Sequence, residues 1–205
     1  MIYDLTRPLS PRLAVFPGDV PISLVETLSI DRNDVCTVGA LTMSLHAGTH
    51  IDAPRHCSRE GVGVDTLNLE SLIGPARIVY APLVGALSLQ TVQSWPLDGV
   101  MRLLIRTPAS DAPLDVFDSN FAWFTPEAAD YLGQCGVRVI GTDAPSVDPP
   151  TSNDLPAHRT FLRYDIILIE SLYLRDVPAG DCQLVALPLK IVNGDAAPAR
   201  VVVIR

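Results

Sequence analysis

The chain has 205 residues, of which 48% are hydrophobic, and its formal net charge is −8. This length fits one domain spanning residues 1–205, and the apolar content can bury a core without disulfides or a structural metal. The negative charge disfavours binding to nucleic acid or to an anionic membrane surface. The N-terminus lacks the apolar core of a signal peptide, and no apolar run approaches the roughly 18 residues of a membrane span. We therefore expect a cytoplasmic protein.

Runs of branched apolar residues predict a core dominated by β-sheet. In chain order these predicted strands cover residues 38–46, 76–83, 100–106, 137–141, 165–170, 182–188 and 200–205. The segment 108–120 contains three aspartates and two prolines, which is typical of a surface loop. No linker and no internal repeat divides the chain. The predicted fold class is therefore α/β, in a single sheet-rich domain.

The clearest predicted helix covers residues 125–135. Thr125 can cap its first turn, Pro126 suits the first helical position and Gly136 can terminate it. Further helices are predicted over 67–73, 88–95 and 156–163, the last with an acid, Asp154, near its start.

The four cysteines are scattered and form no Cys-x-x-Cys pair, which argues against a zinc ribbon or a redox centre. Only 19% of the residues are charged, and 18 are prolines. Together with the apolar composition, this indicates that another subunit covers part of the surface. We expect a homo-oligomer, either a dimer or a tetramer.

Three of the four histidines lie within eleven residues, together with one aspartate: His46, His50, Asp52 and His56. Imidazoles and a carboxylate are the ligands that zinc and similar metals prefer. If residues 50–52 are extended, His50 and Asp52 share one face, and a turn at Gly48 can bring His46 to the same place. The alternative, that these are loop histidines with ordinary hydrogen bonds, requires a partner for each buried ring. The pattern therefore favours a metal site.

Other residues can complete this site. His158 lies at the start of a predicted helix, and Glu170 closes an apolar strand, where α/β proteins often place their chemistry. A solvated strand end remains the alternative for Glu170. Cys57 could add a thiolate, although a neighbour in an extended segment points to the opposite side. Turn formation explains both Asp143 and Asp148. Asp143 can also support the site by orienting a metal ligand, whereas Asp148 is expected to be structural.

The pattern His-x-Gly-Thr-His-x-Asp-x-Pro-x-His at residues 46–56 resembles the signature of the cyclase family of metal-dependent hydrolases. That family contains bacterial kynurenine formamidases and isatin hydrolases, and the kynurenine formamidase branch is the most similar. The resemblance extends over nearly the whole chain, through Phe-Pro-Gly-Asp at 16–19, Gly-Thr-Asp-Ala-Pro-Ser-Val-Asp at 141–148, Leu-Pro-Ala-His at 155–158, Glu170 and Leu-Pro-Leu-Lys at 187–190.

This resemblance implies a swivelling β/β/α fold in a dimer or larger oligomer. It also implies a site for two metal ions, zinc or manganese, whose ligands would be His46, His50, Asp52 as the bridging group, His158 and Glu170. His56 would be the catalytic base. Phe16 would bind the aromatic substrate, although the formamidase branch typically has tryptophan there, and phenylalanine offers less stacking area and no indole N–H.

The activity implied by the resemblance is hydrolysis of the formamide of N-formylkynurenine to kynurenine and formate by metal-activated water, in tryptophan catabolism. One alternative keeps the same site but opens a cyclic amide such as isatin, or cleaves another aryl amide. An alternative from a different class is a non-catalytic metal-binding protein on the same fold. A serine hydrolase is disfavoured because the chain has no Gly-x-Ser-x-Gly motif.

Overall fold

The computed structural model describes all residues from 1 to 205. The strands are β1 Ile2–Asp4, β2 Ser23–Leu28, β3 Val38–Thr42, β4 His50–Asp52, β5 Ile73–Tyr80, β6 Gly85–Leu87, β7 Arg102–Arg106, β8 Ala122–Phe124, β9 Val139–Thr142, β10 Ile167–Glu170, β11 Gly180–Pro188 and β12 Ala196–Ile204. The α-helices are α1 Leu69–Leu72, α2 Leu89–Gln93, α3 Pro126–Gln134 and α4 Pro156–Arg163. None of these helices is long and apolar enough to cross a membrane.

Seven strands form a closed ring, in the order β12, β11, β5, β7, β9, β10 and β4. The ring closes because the short strand β4 pairs with both β10 and β12. Strands β5, β7, β9 and β10 run parallel, and the helices α2, α3 and α4 lie in the crossovers that such pairing requires. The predicted sheet-rich α/β fold is therefore observed.

The core occupies both faces of the parallel strands. Because side chains alternate along a strand, Leu103 and Ile105 of β7 face the helices, whereas Leu104 faces the second apolar cluster with β11 and β12. On the helix side, Phe124 and Phe161 meet edge to face with ring centroids 5.3 Å apart. Each fully buried side chain of this size stabilises the fold by roughly 1.5–3 kcal/mol.

The helix predicted over 125–135 is confirmed as α3. The Thr125 hydroxyl accepts a hydrogen bond from the backbone N–H of Ala128, and Gly136 follows the helix with φ of 87°. The helix predicted over 156–163 is confirmed as α4, but its first turn is satisfied by a different acid from the expected one. Asp148, and not Asp154, accepts the N–H groups of Ala157 and His158, at 2.8 and 3.0 Å.

The predicted strand over 38–46 is too long, since β3 ends at Thr42. The chain then turns towards β4 through Gly48, which has φ of 69°. An added Cβ at Gly48 would lie 2.7 Å from Leu9, so this tight approach requires glycine. The predicted loop over 108–120 contains a short 3₁₀ helix, Pro108–Asp111, and its later residues lie over the candidate site.

Candidate metal centre

Sheet pairing brings distant parts of the sequence to one place at the end of the ring. Strand β4 is antiparallel to β10, with His50 directly opposite Glu170. It is also antiparallel to β12, with Asp52 opposite Ala196. The first turn of α4 adds His158, which is buried against the same carboxylates. The predicted convergence of these four side chains is therefore observed.

Imidazole nitrogens and carboxylate oxygens alternate around the centre of this cluster. His50 Nε2 lies 3.4 Å from Asp52 Oδ1 and 3.5 Å from Glu170 Oε2. His158 Nε2 lies 3.4 Å from Asp52 Oδ2 and 3.4 Å from Glu170 Oε1. All four side chains are buried. Two buried carboxylates need positive charge beside them, because an uncompensated buried charge is strongly unfavourable.

The donor atoms at the centre have no hydrogen-bond partner. His50 Nε2, His158 Nε2 and both carboxylate oxygens of Asp52 are buried and unpaired. Buried polar atoms are almost always satisfied, so four unsatisfied atoms facing one point indicate a missing partner. Nitrogen and carboxylate donors in this arrangement fit a divalent metal ion.

The outer side of each ring is held by a second contact, which fixes which nitrogen faces the centre. His50 Nδ1 donates to the Gly48 carbonyl at 2.9 Å, and His158 Nδ1 donates to Asp148 Oδ2 at 2.6 Å. Metal-binding histidines are commonly oriented in this way, since protonation of one nitrogen leaves the lone pair of the other for the ion.

His46 lies at the edge of the cluster, in the turn before β4. Its Nδ1 is 3.1 Å from Asp52 Oδ1, and its Nε2 is 3.1 Å from Asp195 Oδ2. Donor atoms of His46, Asp52 and His56 converge closely enough to hold one ion, and those of His50, Asp52 and Glu170 could hold another. Asp52 belongs to both groups. The Cys57 thiol belongs to neither group, although Cys57 lines a neighbouring pocket together with Asp52 and His158.

His56 differs from the other three histidines because no hydrogen bond anchors its ring. Its centroid lies 4.3 Å from that of His46 and 5.3 Å from that of His158, and the nearest carboxylate is Asp195, whose Oδ2 is 4.0 Å from Nδ1. Burial lowers the pKa of His56, so its ring is neutral at pH 7 and able to accept a proton.

The carboxylates dominate the protonation of the other rings. Burial lowers the pKa of His50, but the carboxylates of Asp52 and Glu170, at 3.4 and 3.5 Å from Nε2, outweigh it and raise the pKa to about 10. Burial also opposes ionisation of Asp52, yet the nearby rings of His158, His46 and His50 hold its pKa well below the usual range. The cluster thus retains positive charge near its two carboxylates, which is the charge balance a bound cation would supply.

Two acids that contact the clustered histidines have roles that the sequence does not reveal. Asp148, expected to be structural, holds the ring of His158, so that expectation is wrong. Asp195 holds His46, although nothing in the sequence around it suggests a site. Asp143 instead accepts four hydrogen bonds from Thr107 and Ser110 and touches none of the clustered histidines. The expected support of the site by Asp143 is not found.

A cavity of about 260 Å³ opens onto the cluster. His46, His56, His158 and Glu170 line one end of it. Three phenylalanines, Phe16, Phe117 and Phe121, line another part, together with polar residues that include Arg7. Phe16 meets Phe117 edge to face, with centroids 5.1 Å apart. Phe16 therefore lies in the wall of the cavity that opens onto the cluster, where an aromatic molecule could stack on it.

Comparison with known proteins supports this interpretation of the cluster. The model of the Cyclase family matches residues 3–149, which is more than half of the chain. The chain belongs to the cyclase family. The kynurenine formamidase of Salinibacter ruber (strain DSM 13855 / M31) is 41% identical over 98% of this chain and 96% of its own length.

Solved structures share the cyclase fold. One described as a potential metal-dependent hydrolase with cyclase activity has a TM-score of 0.86 at 30% identity, covering 99% of this chain and 96% of its own. Isatin hydrolase A from Labrenzia aggregata, bound to benzyl benzoate, has a TM-score of 0.81 at 24% identity, covering 99% and 93% of the two chains. The second likeness concerns the fold alone.

Proposed function

We propose that this cyclase-family protein is a metal-dependent hydrolase that cleaves N-formylkynurenine to kynurenine and formate. The relative from Salinibacter ruber, similar over nearly its whole length, is a kynurenine formamidase. The observation that carries the proposal is the set of unpaired buried donors of His50, Asp52 and His158 at one end of an aromatic-lined cavity. An aryl group bound in this cavity would lie beside the proposed metal site.

We propose zinc as the metal, with manganese as the alternative, and two ions per subunit. The ligands would be His46, His50, Asp52, His158 and Glu170, with Asp52 bridging, because Asp52 is common to both possible ligand groups. A bound divalent ion would polarise the formyl carbonyl and lower the pKa of a coordinated water towards about 7.

The protein's own residues would then orient the substrate and move a proton. Phe16 and Phe117 would pack against the aryl ring and align the formamide with the cluster. His56 Nδ1 lies on the side of Asp195, which leaves Nε2 free. Nε2 would accept a proton from the water that attacks the formamide. The same nitrogen would return that proton to the departing aniline nitrogen, as a general acid.

The decisive experiment is formate release from N-formylkynurenine by the metal-loaded protein, repeated after chelation and after metal is added back. We expect rapid release that chelation abolishes and metal restores. Isatin serves as the comparison substrate. Fast ring opening of isatin with negligible formate release would reject N-formylkynurenine, and activity that survives complete metal removal would reject a metal-dependent mechanism.

We expect the Asp148→Asn variant to bind metal about 10- to 100-fold more weakly, because the amide is neutral and keeps only one acceptor oxygen. The carboxylate uses both oxygens, one for the Ala157 N–H and one for His158. Asp143→Asn is the matched control, since Asp143 is an equally buried acid in the same loop region. It should cost roughly 1–3 kcal/mol of folding free energy by disturbing the bonds to Thr107 and Ser110, yet leave metal affinity unchanged. Titration with a competing chelator, beside thermal unfolding, would separate the two effects, and equal metal loss in both variants would contradict the role of Asp148.

We propose that the protein is a homodimer that buries the hairpin formed by β2 and β3. These strands pair only with each other, and all their residues are exposed, including Val25 and Leu41 at 54% and 48%. A lone two-stranded hairpin is marginally stable in water, and its apolar surface is stabilised when a second subunit covers it.

Light scattering should give about twice the chain mass of 22.1 kDa. The Val25→Lys/Leu41→Lys variant should shift towards a monomer, and a monomeric wild-type protein would reject the proposal.

A further inference from the structure

A second, open pocket of about 410 Å³ lies beside His56, outside the aromatic cavity. Its wall contains three arginines: Arg55 and Arg59 from the segment after β4, and Arg159 from α4. We call these three residues and the space between them the arginine pocket. All three side chains are exposed.

The guanidinium groups of these arginines have no partner within the protein. None forms an ion pair or a side-chain hydrogen bond, whereas Arg77, Arg163, Arg175 and Arg200 each lie within 4.0 Å of a carboxylate. Asp154 is the acid in the pocket wall, and Glu60 follows Arg59 along the chain. In a protein of net charge −8, three unpaired arginines around one pocket form a local site of positive potential.

The arginine pocket adjoins the aromatic cavity. His56 and Leu155 line both spaces, so a molecule in contact with His56 can extend from one into the other. Leu155 is held in the left-handed region, with φ of 49°, and its N–H donates to Ser152 Oγ at 3.1 Å. A left-handed conformation is unfavourable for leucine, and such strain is concentrated where the backbone shapes a functional site.

We infer that the arginine pocket binds the carboxylate of a zwitterionic amino-acid substrate whose aryl formamide occupies the aromatic cavity. This inference rests on the proposed function, because N-formylkynurenine carries an amino-acid carboxylate on the chain attached to its ring. Guanidinium groups bind carboxylates by paired, charge-assisted hydrogen bonds. The pocket would thus distinguish the amino acid from a neutral aryl formamide with the same reacting group.

One other cation, Arg7, lines the aromatic cavity itself. Its guanidinium already donates to the backbone carbonyl of Asp143, but its Nε has no partner within the protein and could also receive a carboxylate. Arg7 is therefore the rival binding group that an experiment must exclude.

The test compares steady-state kinetics on N-formylkynurenine and on 2′-formamidoacetophenone, which keeps the aryl ketone and formamide but lacks the charged tail. In the triple variant Arg55→Gln/Arg59→Gln/Arg159→Gln, we expect KM for N-formylkynurenine to rise about tenfold or more. KM for the neutral substrate and kcat for both should change less than about twofold. Added NaCl should screen the contact between the arginines and the carboxylate, and so raise KM for N-formylkynurenine in the wild-type protein, with little effect in the triple variant.

Arg163→Gln is the matched control, because it removes one positive charge from the same helix, and Arg163 is paired with Asp130 outside the pocket. Arg163→Gln should leave KM and kcat for both substrates unchanged. An equal loss on both substrates in the triple variant would overturn the inference. A rise in KM for N-formylkynurenine confined to Arg7→Gln would assign the carboxylate to the aromatic cavity and also overturn the inference. A changed inhibition constant for formate, with KM for N-formylkynurenine unaltered, would mean that the pocket binds only the small product.

Equilibrium binding keeps the inference testable if neither formamide is hydrolysed, an outcome that would reject the proposed function. Calorimetric titration would compare kynurenine with 2′-aminoacetophenone, its analogue without the α-carboxylate and the α-ammonium group. We expect the wild-type protein to bind kynurenine about tenfold more tightly, and the triple variant to bind both alike. Equal affinity for both ligands in the wild-type protein would overturn the inference.

Discussion

The Asp52→Asn variant is expected to bind metal at least about 100-fold more weakly and to turn over substrate about 10³-fold more slowly. Asp52 is buried, and its two oxygens approach His50 and His158 from opposite sides, at 3.4 Å each. Both oxygens lack any hydrogen-bond partner. Asparagine has nearly the same shape but no charge, and it presents one oxygen and one N–H₂ group. It therefore removes the charge that offsets the cation and replaces one donor by a group that repels it.

Metal content per folded subunit, measured by elemental analysis after gel filtration, is the direct readout for Asp52→Asn. Asp181→Asn is the matched control, since Asp181 pairs with Arg77 on an exposed face of β11. It should retain full metal content and activity. If Asp52→Asn retained both ions at wild-type affinity, Asp52 would not be a ligand, and the bridging role proposed for it would be wrong.

The regular part of the fold is predictable because its physical signal is local. Strands β5, β7, β9 and β10 are short apolar runs with buried residues on both faces, and α3 has its capping threonine and its first-turn proline in sequence. Strand β4 is harder to predict because it has only three residues and no apolar run. Its strand geometry depends on pairing with β10 and β12, more than 100 residues away in the chain.

In the candidate site, too, some residues are recognisable from the sequence, and others are brought together only by the fold. His46, His50, Asp52 and His56 are recognisable because four donors occur within eleven residues. Asp148 is not recognisable as a site residue, because its neighbouring prolines explain it as a turn residue, and only the packing of α4 shows that it contacts His158. Nothing in the sequence around Asp195 indicates its contact with the site. Asp195 reaches His46 because β12 pairs with β4, a contact that spans 149 residues.

Closeness to the cluster does not by itself determine whether His56 is a metal ligand or a catalytic base. Donor atoms of His46, Asp52 and His56 lie close enough to hold one ion, which would make His56 a ligand. Its other contacts favour a base instead. His50, His158 and His46 each use one nitrogen to bond the protein and turn the other towards the centre, whereas His56 has no such bond and lines the cavity. An unanchored ring can turn from the attacking water to the departing aniline nitrogen, which suits proton transfer.

The His56→Ala variant is therefore expected to keep its metal and to lose about 10²- to 10⁴-fold in kcat, the usual contribution of one general acid–base group. The wild-type pH profile should show activity falling as His56 gains a proton, below the usual histidine range, because burial lowers its pKa. This acid limb should disappear in the variant. His46→Ala is the comparison, since it removes a proposed ligand from the same cluster and should lower metal content as well as activity. If His56→Ala lost metal to the same extent as His46→Ala, His56 would be a ligand, and the proton would have to be transferred by another group.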